Sequence, residues 1–402
     1  MQLSKHFESY EITSIFVAMN FLISSIKDTA LKAIAEKVLA NERITDEEGL
    51  ILYESNHLSL LGSLAHHVRT RKHGKNVYFN RNFHIEPTNI CIFTCAFCAF
   101  ARRPGEEGAW EYTIEEIENI ARKYQGKGVT EVHIVGGVHP KRDVHYYGEM
   151  IQRIKKILPG IHVKAFTAVE LAVMIARSKM TLEEGLLKLK EYGLDSIPGG
   201  GAEIFAEDIR SQICDTKAST DQWLIIHETA HKLGIPSNCT MLYGHIEKYH
   251  HRIDHMNRLR ALQDKTSGFN TFIPLKFRDD NNDLSYVGEV NMLEDLKNYA
   301  VARIFMDNIP HLKAYWPMIG KQTAQLSLSY GVDDIDGTID DTTKIYSMAG
   351  AEEKNPALST KELVYIIKKA GFLPIERDTL YNVIHDYSKE NVQDGVDIPV
   401  LG

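Results

Sequence analysis

The chain has 402 residues, 46 Lys and Arg against 54 Asp and Glu, and 44% hydrophobic residues. That composition excludes a disordered or collagen-like chain, and a formal charge of −8 argues against a general nucleic-acid binder, which would carry a basic face. No apolar run approaches the roughly 20 residues that span a bilayer, and five cysteines, three of them within eight residues, point to a metal site in a reducing compartment and not to a disulfide scaffold.

At the N-terminus the apolar stretch 12–18 is interrupted by Thr13 and Ser14 and lacks a basic flank, so it makes a poor signal peptide. The chain reads as cytoplasmic, with Met19 a second possible start. Residues 23–71 are expected to be helical: apolar residues recur at helical spacing after Asp28, and Thr45 with Glu48 forms a capping-box pattern. From residue 82 short apolar runs alternate with amphipathic helices. Strands are expected at 82–87, 129–136, 161–166, 194–198, 235–242, 269–275, 311–316 and 324–330. Helices are expected at 112–124, 146–158, 169–178, 182–192, 220–233, 249–262 and 292–305. Eight strands separated by helices imply a parallel α/β sheet, and about 250 residues suit a closed (β/α)8 TIM-type barrel. The barrel is placed at 76–350, after an N-terminal helical extension (1–75) and before a C-terminal tail (351–402) with one helix at 360–369. A doubly wound open sheet is the alternative.

The strongest chemical signal is Cys91-Ile-Phe-Thr-Cys95-Ala-Phe-Cys98, which follows the first barrel strand at the end where barrel active sites lie. Three thiolates on one tight loop can hold three irons of a [4Fe–4S] cluster. Cys214 and Cys239 lie in other units with no matching motif, which leaves one iron open to a small molecule. A structural zinc site would need a fourth ligand, for which His84 or His133 are candidates. An iron–sulfur electron carrier would need a fourth cluster cysteine.

The C-x3-C-x2-C spacing, with Phe97 before the last cysteine, resembles the radical S-adenosylmethionine (SAM) superfamily. The resemblance implies that the open iron chelates the methionine end of SAM, and that Phe97 and the pair Gly136-Gly137 after the second strand belong to the cofactor site. Glycine admits close backbone approach because it has no Cβ. Glu170, after the third strand, is either a ribose ligand or a helix-start carboxylate favoured by the helix dipole. Arg210, beyond the run Gly199-Gly200-Gly201, either pairs with the methionine carboxylate or is a solvated helix residue.

His227-Glu228-Thr229-Ala230-His231 matches the zinc-hydrolase pattern H-E-x-x-H, but it falls on an outer barrel helix and reads as structural. His251 and His255 are expected to be exposed on a helix. His245 and Glu247, where the fifth strand ends, are expected to face the pocket.

Longer stretches, among them Glu86-Pro-Thr-Asn-Ile-Cys, Asp195-Ser-Ile-Pro-Gly-Gly-Gly-Ala-Glu and Ala314-Tyr-Trp-Pro-Met-Ile-Gly, resemble the aminofutalosine synthase family of the futalosine route to menaquinone, with dehypoxanthine futalosine cyclases as the rival family. The resemblance implies transfer of the 5′-deoxyadenosyl group to an aromatic enol-ether dicarboxylate. It also implies one cluster, SAM as co-substrate, and an electron donor such as flavodoxin or ferredoxin, with no nucleic acid and no membrane. By placement after the sixth and seventh strands, Lys276, Arg278, Tyr315 and Trp316 are candidates for the substrate pocket.

Overall fold

A computed structural model describes residues 22–339, 344–351, 354 and 356–390. The stretches 1–21 and 391–402, and with them the second start at Met19, lie outside the described residues. Among those described, no helix is long and apolar enough to cross a membrane.

The first strand, β1 (Asn76–Phe79), follows the helices Thr29–Leu39, Asp46–Glu54 and Leu58–His73. Asp28 caps the first of these, and the expected Thr45–Glu48 capping box opens the second. Leu58–His73 packs on the helix Met292–Phe305, and buried Arg69 donates to the carbonyls of Val332, Gly74 and Asn76. The extension is thereby welded to the outside of the last barrel units.

The barrel strands are β2 (Asn82–Ile85), β3 (Glu131–Ile134), β4 (His162–Ala165), β5 (Ser237–Tyr243), β6 (Phe269–Lys276), β7 (His311–Ala314) and β8 (Asp334–Ile335). β2, β3 and β4 pair in parallel, as do β5, β6, β7 and β8. The expected strand at 194–198 is reduced to two parallel bridges, Lys164 to Ser196 and Ile197 to Ser237, which join the two sets. The ring returns to its start through Thr338, whose amide donates to Asn80 and whose hydroxyl both donates to the Asn82 carbonyl and accepts the Asn82 amide. Helices on the outside begin with reciprocal caps, for example Thr113–Glu116, Thr181–Glu184 and Ser219–Gln222.

Two expectations need correction. Residues 324–330 are not a strand: Lys321–Ser327 is a helix, followed by a 3-10 turn over Leu328–Tyr330. The alternation Ala-Gln-Leu-Ser-Leu-Ser looks like period two, yet Ala324 and Leu328 are buried one helical turn apart while Leu326 is 41% exposed. The eighth strand is Asp334–Ile335 instead, hidden in the sequence because the barrel interior accepts its charges. The tail, expected as one helix and a polar end, also contributes two strands. After the helix Thr360–Lys369, β9 (Leu373–Arg377) pairs in parallel with β1, and β10 (Val383–Asp386) pairs antiparallel with β9.

Those tail residues plug the N-terminal end of the barrel. Arg377 Nε donates to Asp334 Oδ2 at 2.6 Å, Thr379 donates to Glu131 at 2.6 Å, and Tyr381 stacks on His311 with ring centroids 3.4 Å apart. Arg377 and Asp334 are both fully buried, so removing one strands the other's charge. Arg377→Met should lower stability by about 3 kcal/mol or more, measured by urea titration. Adding Asp334→Asn should recover part of that loss, because the two changes share one interaction.

Candidate active site

The cysteine loop leaves β2 and is fixed by backbone contacts to three neighbouring units. Ile92 N donates to Val138 O at 3.0 Å, Ala96 N to Ile213 O at 2.8 Å, and Asp283 N to Ala96 O at 2.8 Å. Gly137 N donates to Thr88 O at 2.7 Å, and a Cβ on Gly137 would lie 2.4 Å from Ile90 O. Gly136 is equally tight: its Cβ would meet Thr88 O at 2.7 Å. The glycine pair is therefore required by the packing of the loop itself. Cys91, Cys95 and Cys98 are free thiols lining a cavity of about 250 Å³ at the C-terminal end of the barrel, with Gly136, Gly137 and Phe97 on its wall.

Among the described residues, one trio of His, Cys, Asp and Glu brings its ligand atoms within 4.8 Å of one another, namely His73, His311 and Asp333 at the opposite end of the barrel. Its groups are committed: Asp333 to Arg303 and His311, and His73 Nε2 to Pro310 O at 2.9 Å. The three thiols are set wider. A mononuclear zinc with sulfurs at 2.3 Å would draw them to about 3.8 Å, so the donor set fits a multi-iron cluster. His84 and His133, the candidate zinc ligands, instead face each other across β2 and β3 at 3.4 Å.

Several expected site residues are spent elsewhere. Glu170 accepts Gly136 N at 3.2 Å and Thr167 N at 2.7 Å, so its carboxylate holds the glycine turn and caps its own helix instead of reaching a ribose. Burial pushes its pKa up to about 7. Arg210 is buried and donates to the carbonyls of Ala202, Ile204 and Ala218, which ties together the loop after the fourth unit, and it is not among the residues that line the cavity. His245 and Glu247 do not face the pocket. Gly244, at φ +89°, turns the chain after β5, and Glu247 accepts the amides of Gly244 and His245 and pairs with Arg252 at 2.8 Å. His245 sits between Glu247 and Leu242 O, with its side chain fully buried. His255 is also buried, accepting Phe205 N and bonding Thr240 O, and His251 caps its helix; neither is the exposed group expected. Trp316 is buried and donates to Gly337 O. Lys276 is paired with Asp295 at 3.0 Å.

Lys276, Arg278 and Tyr315 do line the cavity. Arg278 donates to Met318 O and Gly350 O and pairs with Glu289 at 3.0 Å, so it binds three mouth segments together. Glu86 anchors the same cover from below by accepting the amides of Lys344 and Ile345; burial raises its pKa to about 7.

The two histidines of H-E-x-x-H converge on a hydroxyl, and the glutamate turns away from them. His227 and His231 both bond the Ser237 hydroxyl at 2.8 Å, while Glu228 points outward to Lys232 and Lys265.

Sequence reasoning missed the charged interior. Lys217 lines the cavity, lies 5.0 Å from the centroid of the Phe97 ring and pairs with Glu203 at 2.6 Å. Deeper in, Lys164 pairs with Glu131 at 2.7 Å and Lys313 with Asp336 at 2.8 Å. Burial holds His84 and His133 below the usual histidine range, so both rest neutral. Period-two parity was the available signal: Glu131 and His133 on β3 and Lys164 on β4 are all inward positions.

Residues 85–259 match the model of the radical SAM superfamily, and residues 266–390 that of the CofH/MqnC C-terminal region. The aminodeoxyfutalosine synthase of Thermus thermophilus is 46% identical over 368 residues, covering 90% of this chain and 98% of that protein. The cyclic dehypoxanthine futalosine synthase of Streptomyces coelicolor is 37% identical, covering 89% and 90%. In fold, a methylornithine synthase superposes with a TM-score of 0.68 at 19% identity, covering 85% of this chain and 97% of that one.

Two measurements check the assignment. Changing Cys91, Cys95 or Cys98 to Ala should abolish the cluster's visible absorption, whereas Cys214→Ala and Cys239→Ala should keep it. The double change His227→Gln and His231→Gln should leave turnover largely intact, with metal analysis finding no stoichiometric zinc before or after.

Proposed function

The chain belongs to the radical SAM superfamily, in its aminodeoxyfutalosine synthase branch, and on that premise we propose that it transfers the 5′-deoxyadenosyl group of SAM to 3-[(1-carboxyvinyl)oxy]benzoate. The products are 6-amino-6-deoxyfutalosine, methionine and CO2. What carries the reading is identity of 46% along nearly the whole of both chains. A cavity that joins the cysteine loop to a charged interior supports it.

Cys91, Cys95 and Cys98 would hold the cluster, which would supply the electron for cleaving the sulfonium C–S bond of SAM. The chain's own residues do the rest. Gly136 and Gly137 present backbone with no side chain in the way, so the methionine end of SAM can lie against it. Phe97, on the same wall, gives an apolar surface, and Ile273 and Leu275 continue it down β6. The mouth segments tied by Arg278 and Glu86 exclude water, which a reactive alkyl radical requires. Addition to a vinyl carbon needs no abstractable hydrogen, only C5′ held close to that carbon. A low-potential donor of the flavodoxin or ferredoxin kind belongs to the same proposal.

The 37% identity to a cyclic dehypoxanthine futalosine synthase favours a second reading, in which the radical abstracts hydrogen from a nucleoside. Label at C5′ of SAM separates the two. Transfer predicts label in aminodeoxyfutalosine, with methionine released in equal amount. Label accumulating as free 5′-deoxyadenosine in step with turnover would replace transfer by abstraction.

A further inference from the structure

On the inner face of β5, Asn238, Thr240 and Leu242 line the cavity, while Cys239 and Met241 turn to the helix layer. Thr240 spends its hydroxyl on Gly199 O at 2.8 Å. Asn238 is different. It is 4% exposed, and its side-chain amide makes no hydrogen bond among the described residues. A buried amide leaves neither its donors nor its acceptor empty without cost, so a group that reaches this point in the cavity is expected to take them.

The position is rigidly defined. Asn238 N donates to Ile197 O at 3.0 Å, and Gly199 packs so closely that its Cβ would come within 2.2 Å of Asn238 O. The register puts Lys164 level with Ser196, and Ile197 level with Ser237. Asn238 therefore stands two residues, about 7 Å, above the level of Lys164, in the next inward-facing layer. Lys164 spends one of its three N–H donors on Glu131. The other cavity cations are tied down by Glu203, Asp336, Asp295 or Glu289.

We propose that Asn238 binds the ring carboxylate of the aromatic substrate, with its amide Nδ2 as donor and Lys164 below as the supporting positive charge. The assignment rests on the transfer reading above. In that reading the vinyl carbon must lie at the mouth, beside the cysteine loop, which sends the opposite end of the substrate down toward β5. A carboxylate there completes an unfilled donor and stands near a lysine whose charge Glu131 only partly shields.

Binding is read by calorimetry on the cluster-loaded enzyme with SAM and no reductant, so that no turnover occurs. The probes are 3-[(1-carboxyvinyl)oxy]benzoate and 2-phenoxyacrylate, which lacks the ring carboxylate. Asn238→Leu should weaken the first by roughly 10- to 100-fold and leave the second unchanged. Asn238→Asp should discriminate against the first still more strongly, because it sets a carboxylate against a carboxylate. If Asn238→Leu fails to fold, Asn238→Ser reads the same ratio. An unchanged ratio between the two probes would overturn the assignment. So would weakened SAM binding with substrate binding intact, since the amide would then serve the methionine carboxylate. Wild-type enzyme that forms no adenosyl adduct from the enol ether would overturn the transfer reading and this assignment with it.

Discussion

The close approach of two backbones sets the site. Gly137 lies so near Ile90 that a single methyl group would come within 2.4 Å of the carbonyl. That contact fixes where the chain leaves β2, and so where Cys91 begins its loop. It also explains why Glu170 is buried: once Gly136 is pressed on Thr88, its amide needs an acceptor, and a carboxylate at the next helix start supplies one. Loop, glycine turn and helix cap form one unit, and none of its parts can move without the others.

Beneath this unit the barrel is charged where most such barrels are filled with branched aliphatic residues. The charges are balanced locally, Lys164 against Glu131, Lys313 against Asp336 and Arg377 against Asp334. Away from water each pair depends on its partner, and the cost of separating them makes the interior stiff. Neutral His84 and His133 fit the same logic, since burial disfavours a further positive charge there, with the nearby lysines adding to it. The tail completes the balance by bringing Arg377 to Asp334, which is why a segment remote in sequence is needed to close the base.

Helix positions were legible because caps and period are local: Leu182–Tyr192, Met292–Phe305 and Thr360–Lys369 fall where the sequence puts them. The cysteine loop was legible for the same reason. The eighth strand was not, because Asp333, Asp334 and Asp336 look like a solvated turn until the partners Arg303, Arg377 and Lys313 arrive from distant segments. Site residues at strand ends misled in a consistent way. Glu170, Arg210, His245 and Glu247 are each adjacent to a turn whose backbone groups must be satisfied, and each is consumed by that need. Residues inside strands, such as His133, Lys164 and Asn238, do reach the cavity, because there parity alone decides direction.

Arg278 shows how far a role can shift while a position holds. Placement after the sixth strand makes it a natural anion ligand, and it does line the cavity. Yet its guanidinium is shared among Glu289, Met318 O and Gly350 O, three segments that otherwise have no common partner among the contacts described. A planar group with five donors suits that task, because it can hold several acceptors in fixed directions at once. With Arg278 acting as a clasp over the mouth, a substrate of the dicarboxylate kind proposed above would find its polar contacts further in. On that reading the clasp directs recognition toward the inner faces of the strands.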